Sequence, residues 1–236
     1  MTGQQMYDQV TLYSFTVIPL FILMGALINR ANLAHELYDA ANGFVGHFRG
    51  GLAMGTVVAC GGFGAVCGSS LAVAATMSRV AMPSMRRYRY DDGLSAGAIA
   101  AGGTLGIMIP PSVPMVIYGI LAETDIAKLF IAGILPGILL MALFSGAIAW
   151  TTWRHPDQGP PGARTPWPQR LRLLARVWGV VLIFVIIIGG IYGGLFTPTE
   201  AAGIGVAAAG AFAVSRGKLS WTALRESLIE TGVTTG

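Results

Sequence analysis

Long runs of apolar residues, unbroken by charge, leave this chain few ways to fold. A hydrocarbon layer about 30 Å thick takes roughly 20 apolar residues per helical crossing. Five stretches meet or approach that length: Val10–Ile28, Leu94–Ala122, Leu129–Trp153, Val177–Phe196 and Thr199–Val214. The expected fold is therefore an all-α polytopic membrane protein. A sixth apolar stretch, Gly50–Ser78, is centred on Gly61-Gly62-Phe63-Gly64-Ala65-Val66-Cys67-Gly68-Ser69-Ser70. Each interior glycine costs a helix about 1 kcal/mol against alanine. This stretch is expected to be a poor continuous helix and to form a re-entrant hairpin with its tip near Gly68-Ser69-Ser70.

Charge placement agrees with that topology. Only 11% of residues are charged, where a soluble domain carries about a quarter. If the hairpin returns to its own side and the other five stretches cross, fourteen of the fifteen basic residues fall on one face and Lys128 stands alone opposite. The positive-inside rule makes the rich face cytoplasmic. A fully crossing Gly50–Ser78 would give twelve against three, which the rule also tolerates. The net charge of +4 does not point to nucleic acid, since no basic stripe with interleaved aromatics occurs. Basic residues between apolar runs suit lipid headgroups instead.

Leu33–Phe48 carries Leu33, Leu37, Ala40, Ala41, Phe44 and Val45 on one helical face, the pattern of a short amphipathic helix at the cytoplasmic interface. Pro156, Pro160, Pro161, Pro166 and Pro168 mark a linker. They divide the chain into residues 1–153, a cytoplasmic linker over 154–172, and residues 173–236. Met1–Gln9 has no Lys or Arg, so it lacks the basic opening of a cleaved signal peptide. Cys60 and Cys67 lie in an apolar run and have no zinc-type spacing.

The most informative segment is Ala101-Gly102-Gly103-Thr104-Leu105-Gly106-Ile107-Met108-Ile109-Pro110-Pro111-Ser112-Val113-Pro114. Three glycines followed by three prolines are expected to interrupt the helix, because prolines remove donors and disfavour helix just before them. Broken backbone survives inside lipid only where protein or a polar cavity satisfies it, and such breaks near mid-membrane commonly bind substrate and coupling ions. Ser112 is placed to cap the second half-helix, with Pro114 in its first turn. A simple proline kink is the alternative. At the hairpin tip, the backbone carbonyls freed by Gly68 and the hydroxyls of Ser69 and Ser70 are hard ligands suited to a small cation. Their N–H groups could instead meet a carboxylate, or the serines could only cap the returning arm. Thr197-Pro198-Thr199-Glu200 reads as a helix-capping box, and Asp91 and Asp92 as a solvated turn.

Other classes are poorly served. His35, His47 and His155 lie outside the apolar spans, no Asp falls within them, and no nucleotide-binding phosphate loop occurs. Neither an intramembrane enzyme nor an ATP-driven pump is expected, and no cofactor is implied.

At these residues the sequence resembles the large membrane subunit of tripartite ATP-independent periplasmic (TRAP) transporters, the DctM-like family. The likeness is carried by Pro19-Leu20-Phe21-Ile22-Leu23-Met24-Gly25, by Gly68-Ser69-Ser70 with Ala72, and by Gly103-Thr104-Leu105-Gly106 running into Ile109-Pro110-Pro111-Ser112. It continues through Leu129-Phe130-Ile131-Ala132-Gly133-Ile134-Leu135-Pro136-Gly137, Gly189-Gly190-Ile191-Tyr192-Gly193-Gly194 and Phe196-Thr197-Pro198-Thr199-Glu200-Ala201-Ala202. The resemblance implies a Na⁺-coupled symporter importing organic acids across a bacterial inner membrane. A periplasmic binding protein would deliver the substrate and a small membrane subunit would complete the permease.

It further implies an elevator-type transporter with two inverted repeats, each supplying one hairpin and one broken helix. Gly68, Ser69, Ser70, Gly103 and Thr104 would then hold Na⁺, and Ser69, Ser70, Thr104, Pro111 and Ser112 would form half of the substrate site. Members of the family are nearly twice as long, so the sequence is expected to be a fragment whose second repeat, from about Leu173, is truncated. Another ion-coupled transporter, or a channel component with a re-entrant hairpin, is the alternative.

Overall fold

A computed structural model describes residues 16–235, and every regular element among them is helical. The α-helices are α1 (Val17–Arg30), α2 (Leu33–Val45), α3 (Gly51–Cys67), α4 (Ser70–Arg87), α5 (Asp92–Met108) and α6 (Val113–Leu121). They continue with α7 (Ile126–Arg154), α8 (Trp167–Arg176), α9 (Trp178–Tyr192), α10 (Pro198–Ser215) and α11 (Trp221–Thr235). Residues 10–15 of the expected first span lie outside the described residues.

By length and composition, α7 and the α5–α6 pair are each able to cross a bilayer. The pairs α1–α2, bent by 67°, and α8–α9, bent by 47°, bring the number to four if each counts as one span. The chain is a multi-pass membrane protein, helical throughout the regular structure of its described residues. The helix starts follow local chemistry. The Asp91 carboxylate accepts from Leu94 N–H at 2.9 Å to begin α5, and Asp125 accepts from Ala127 N–H at 2.9 Å to begin α7. Asp91 is thus a cap, and Asp92 pairs with Arg86 at 2.9 Å, so the turn is more structured than a merely solvated one. Thr197 and Glu200 form the expected capping box on α10.

Helix α3 lies at the centre, buried over most of its circumference and packed by α1, α2, α4, α5 and α7. A helix apolar all round belongs in an interior. Gly61, Gly62 and Gly64 do not break it: the helix runs through Gly61–Cys67 and stops at Gly68, the position expected for the turn. The reason is packing. A Cβ on Gly64 would sit 2.7 Å from the Gly106 Cα, so the bare backbones of α3 and α5 touch, and small residues at such crossings are what membrane helices use to approach. By contrast, α7 leaves Leu135, Leu139, Leu143 and Trp150 exposed, the surface expected against lipid.

Several main-chain bonds gather helix ends at one end of the bundle. Gly50 N–H donates to Gly159 O at 2.9 Å, Gly162 N–H to Gly46 O at 2.9 Å and Asp91 N–H to Gln158 O at 3.0 Å. The Tyr90 hydroxyl accepts from Leu52 N–H at 3.2 Å. The first arm of the α3–α4 pair therefore starts where the second arm finishes. The second arm is longer than expected, reaching Arg87 instead of Ser78. The proline-rich segment is docked through these bonds. Lys128 stands at the far end of α7, whose 29 residues span about 43 Å.

Two further expectations are corrected. Helix α2 buries a broader surface than the expected stripe. Leu33, Ala34, Tyr38, Ala40 and Gly43 are all buried because α3 packs on one side and α8 on another. Its Glu36 pairs with Arg216 of the α10 terminus, their side chains 15% and 25% exposed. The expected linker over 154–172 also contains the start of α8, which begins at Trp167.

Candidate functional site

Helix α3 ends because Gly68 takes a left-handed φ of +66°, which glycine adopts without Cβ penalty. Ser69 is then extended, and its Oγ accepts from Ala72 N–H at 3.4 Å to start α4. Helix α5 ends at Met108, two residues before Pro110. Ile109 is extended, as a residue before proline prefers, and the Pro110–Pro111 peptide is cis. Ser112 is extended and α6 follows, with Pro114 in its first turn.

The two breaks meet. Val113 N–H donates to Gly68 O at 3.2 Å, and a Cβ on Gly68 would lie 2.9 Å from Pro111 O. Gly106 faces the Ser69 carbonyl and Gly103 faces Ala74 and the Ser70 carbonyl. Two helix C-termini, of α3 and α5, and two N-termini, of α4 and α6, thus converge. Opposed helix ends offer carbonyl oxygens to a cation and N–H groups to an anion within a few ångströms. Among the described residues no cluster of three or more His, Cys, Asp or Glu occurs. The oxygens at this junction are carbonyls and hydroxyls, the donor class hard cations prefer.

A cavity of about 690 Å³ opens at the junction, lined by Gly68, Ser69, Ser70 and Leu71, by Ile107, Val113, Pro114 and Ile117, and by Thr16, Ile18, Pro19 and Ile22. Not every residue singled out from sequence faces it. Thr104 is exposed elsewhere on α5, and its Oγ donates to Ala101 O at 2.7 Å. Gly103 and Pro111 are buried behind the tip. Ser112 does not cap α6 with its side chain. Its fully buried Oγ donates backwards to Ile107 O at 2.7 Å, satisfying a terminal carbonyl of α5. Gly102 and Gly103 do not unwind the chain either: both lie inside α5, and a Cβ on Gly102 would stand 2.7 Å from Cys60 Sγ.

Sequence reasoning missed the polar residues behind Ser69. Asn29, Thr76, Arg79 and Glu230 line a second cavity of about 270 Å³ that also reaches Ser69 and Cys67. Arg79 reads as a loop base from sequence because the second arm was expected to end at Ser78. Only the continuation of α4 to Arg87 places it on a helix lining the cavity that reaches the tip.

The family model described as "Tripartite ATP-independent periplasmic transporter, DctM component" matches residues 1–236. The chain belongs to that family. It is 42% identical over 193 residues to the C4-dicarboxylate TRAP transporter large permease protein DctM of Pseudomonas aeruginosa, covering 81% of this chain and 44% of that protein. It is 40% identical over 199 residues to the ectoine/5-hydroxyectoine TRAP transporter large permease protein of Ruegeria pomeroyi, covering 84% and 46%. A sialic acid TRAP transporter large permease protein of Vibrio cholerae is 36% identical over 203 residues, covering 86% and 47%. The chain spans about half the length of the TRAP relatives it matches.

Proposed function

We propose that this chain supplies the core of a TRAP large permease that imports a small organic acid across a bacterial inner membrane, coupled to Na⁺. A periplasmic binding protein and a small membrane subunit would act with it. The observation that carries this reading is the hydrogen bond between Gly68 O and Val113 N–H, which ties a hairpin tip to a helix break. On this reading α3 and α4 enter and leave the bilayer on one side, as their shared end favours, and the junction lies at mid-depth. Gly137 packs against Ile109 at the break and is the twelfth residue of α7, placing the junction about 17 Å along that helix.

Carbonyl and hydroxyl oxygens of Gly68, Ser69 and Ser70 would hold Na⁺ there, and the α4 and α6 N-termini would receive a carboxylate. Thr104, Gly103, Pro111 and Ser112 would act indirectly, by packing the tip or holding the break, since their polar groups are spent or face away. The bond between hairpin and broken helix supports our reading that the two would move together, as an elevator mechanism requires. The relatives' names span several substrates, so a class and not a compound is proposed.

The test replaces the matching segment of the Pseudomonas aeruginosa relative with this chain and measures uptake in proteoliposomes. Uptake should require a Na⁺ gradient, and Ser69→Ala and Ser70→Ala should each raise the Na⁺ concentration for half-maximal uptake several-fold. Uptake indifferent to Na⁺ would refute the coupling. A Na⁺ requirement untouched by both substitutions would remove the hairpin tip from the ion site.

A further inference from the structure

A second feature lies away from the junction, where α8 crosses α2. On α8, Trp167, Leu171 and Leu174 recur at spacings of four and three and are 67%, 61% and 53% exposed, an apolar stripe along one face, and Trp178, 55% exposed, follows at the start of α9 beyond the 47° bend. The opposite face grips the protein: Leu173 Cδ1 lies where a Gly43 Cβ would be 2.8 Å away. Arg170 stands over the Phe44 ring at 5.8 Å and the Trp167 ring at 5.1 Å, and its Nε donates to Thr165 O at 2.9 Å.

A cavity of about 390 Å³ at the start of α8 is lined by His47, Arg164, Thr165, Pro166, Trp167 and Arg170. His47 Nδ1 is buried there without a hydrogen-bond partner among the described residues. Arg164 is exposed and in no ion pair among them. The chain has no Asp or Glu between Asp39 and Asp91 or between Asp157 and Glu200, so both segments that build the cavity are free of acid. Arg172 and Arg176 line a neighbouring hollow, and of these Arg176 is close enough to Asp39 to act on its charge. The result is a pocket with two guanidinium groups, an imidazole and a threonine, and no carboxylate in its wall.

We propose that this pocket binds the phosphate of an anionic phospholipid headgroup in the leaflet met by the arginine-rich end of the chain. Guanidinium groups recognise phosphate oxygens through paired, charge-assisted bonds. Arg170 is held in place by Thr165 and two aromatic rings, and Arg164 is free to close over the ligand. The exposed apolar stripe of Trp167, Leu171 and Leu174 favours a lipid over free phosphate, because it places an apolar surface for the acyl chains beside the charged pocket. Basic pockets at helix edges are established devices for holding acidic lipids.

The experiment titrates the full chain, purified in a neutral detergent, with short-chain phosphatidylglycerol and counts bound lipid by native mass spectrometry. Phosphatidylcholine and inorganic phosphate serve as parallel ligands. The expected result is saturable phosphatidylglycerol binding, weakened about tenfold or more by Arg164→Gln and unchanged by Lys128→Gln at the other end of α7. Arg164 is exposed and has no hydrogen-bond or ion-pair partner among the described residues, so its replacement leaves packing intact. Arg170→Gln should act in the same direction, with circular dichroism confirming that the helices remain. Equal binding of phosphatidylcholine, or binding unaffected by Arg164→Gln, overturns the proposal. Displacement by inorganic phosphate at matched concentration shows a free-anion site and overturns the assignment to lipid.

Discussion

Replacing Gly68 with alanine measures how strongly the two helix breaks depend on each other. Two penalties act at this position. A left-handed conformation costs an L-residue about 1–2 kcal/mol. In addition, the new Cβ would lie 2.9 Å from Pro111 O, a main-chain atom that cannot swing aside, and overpacking of this kind costs about 1–3 kcal/mol. Gly217 provides the reference, since it has a φ of +64° and no neighbour within 4 Å of an added Cβ. Alanine's lower unfolded-state entropy favours both variants equally and cancels in the comparison. Gly217→Ala should therefore show the conformational penalty alone, and Gly68→Ala that penalty plus the clash. For a chain of this size 1 kcal/mol shifts Tm by about 2–4 °C, so Gly68→Ala should melt about 2–12 °C below Gly217→Ala. The assay is thermal unfolding of the detergent-purified chain followed by far-UV circular dichroism. Equal losses in the two variants would show that the tip and the Pro-Pro break do not constrain each other.

Three other substitutions probe the fold. Ser112→Ala removes the 2.7 Å, part-buried bond to Ile107 O and should destabilise by about 0.5–1.5 kcal/mol, the net worth of one hydrogen bond; a melt indistinguishable from wild type would contradict the assigned bond. Arg216→Ala strands the Glu36 carboxylate, and because the pair is partly solvent-screened the loss should be about 1–3 kcal/mol. Adding Glu36→Gln should restore part of it, and additive losses in the double variant would show that the two side chains do not interact. Tyr90→Phe deprives Leu52 N–H of its acceptor and should cost about 1–2 kcal/mol, read as faster hydrogen exchange at the start of α3.

The interruptions were visible in the sequence because they rest on local stereochemistry. Gly68 before two serines and Ile109 before two prolines admit few backbone conformations, and neither depends on distant neighbours. The capping box of Thr197 and Glu200 was legible for the same reason. What stayed hidden depends on the third dimension. In a membrane chain, apolar residues face both lipid and protein, so the pattern of Leu33–Val45 could not tell that α8 would cover it. Nor could the glycines of α3 and α5 announce that they serve close approach and not flexibility. Ser112 has the spacing of a cap on α6, yet its hydroxyl turns to Ile107, because the sharp Pro-Pro turn brings that carbonyl nearer. The meeting of Gly68 with Val113, 45 residues apart in sequence, had no local signature.

The proline-rich strap between α7 and α8 is stitched to the rest of the chain by peptide groups at positions 158, 159 and 162, with side chains playing little part in those bonds. Such a seam is intolerant of changes in main-chain geometry and of any side chain at Gly159 or Gly162, where an added Cβ would lie 3.0 Å from Gly50 Cα and 2.8 Å from Gly46 O, but it asks little of the side chains between them. Random mutagenesis should accept many residues at Pro161 or Ala163, while a proline at Gly162, which deletes the amide that reaches Gly46, should be rejected. A fluorescent tag inserted there on the assumption of slack would pull apart the loops that begin α3 and α5.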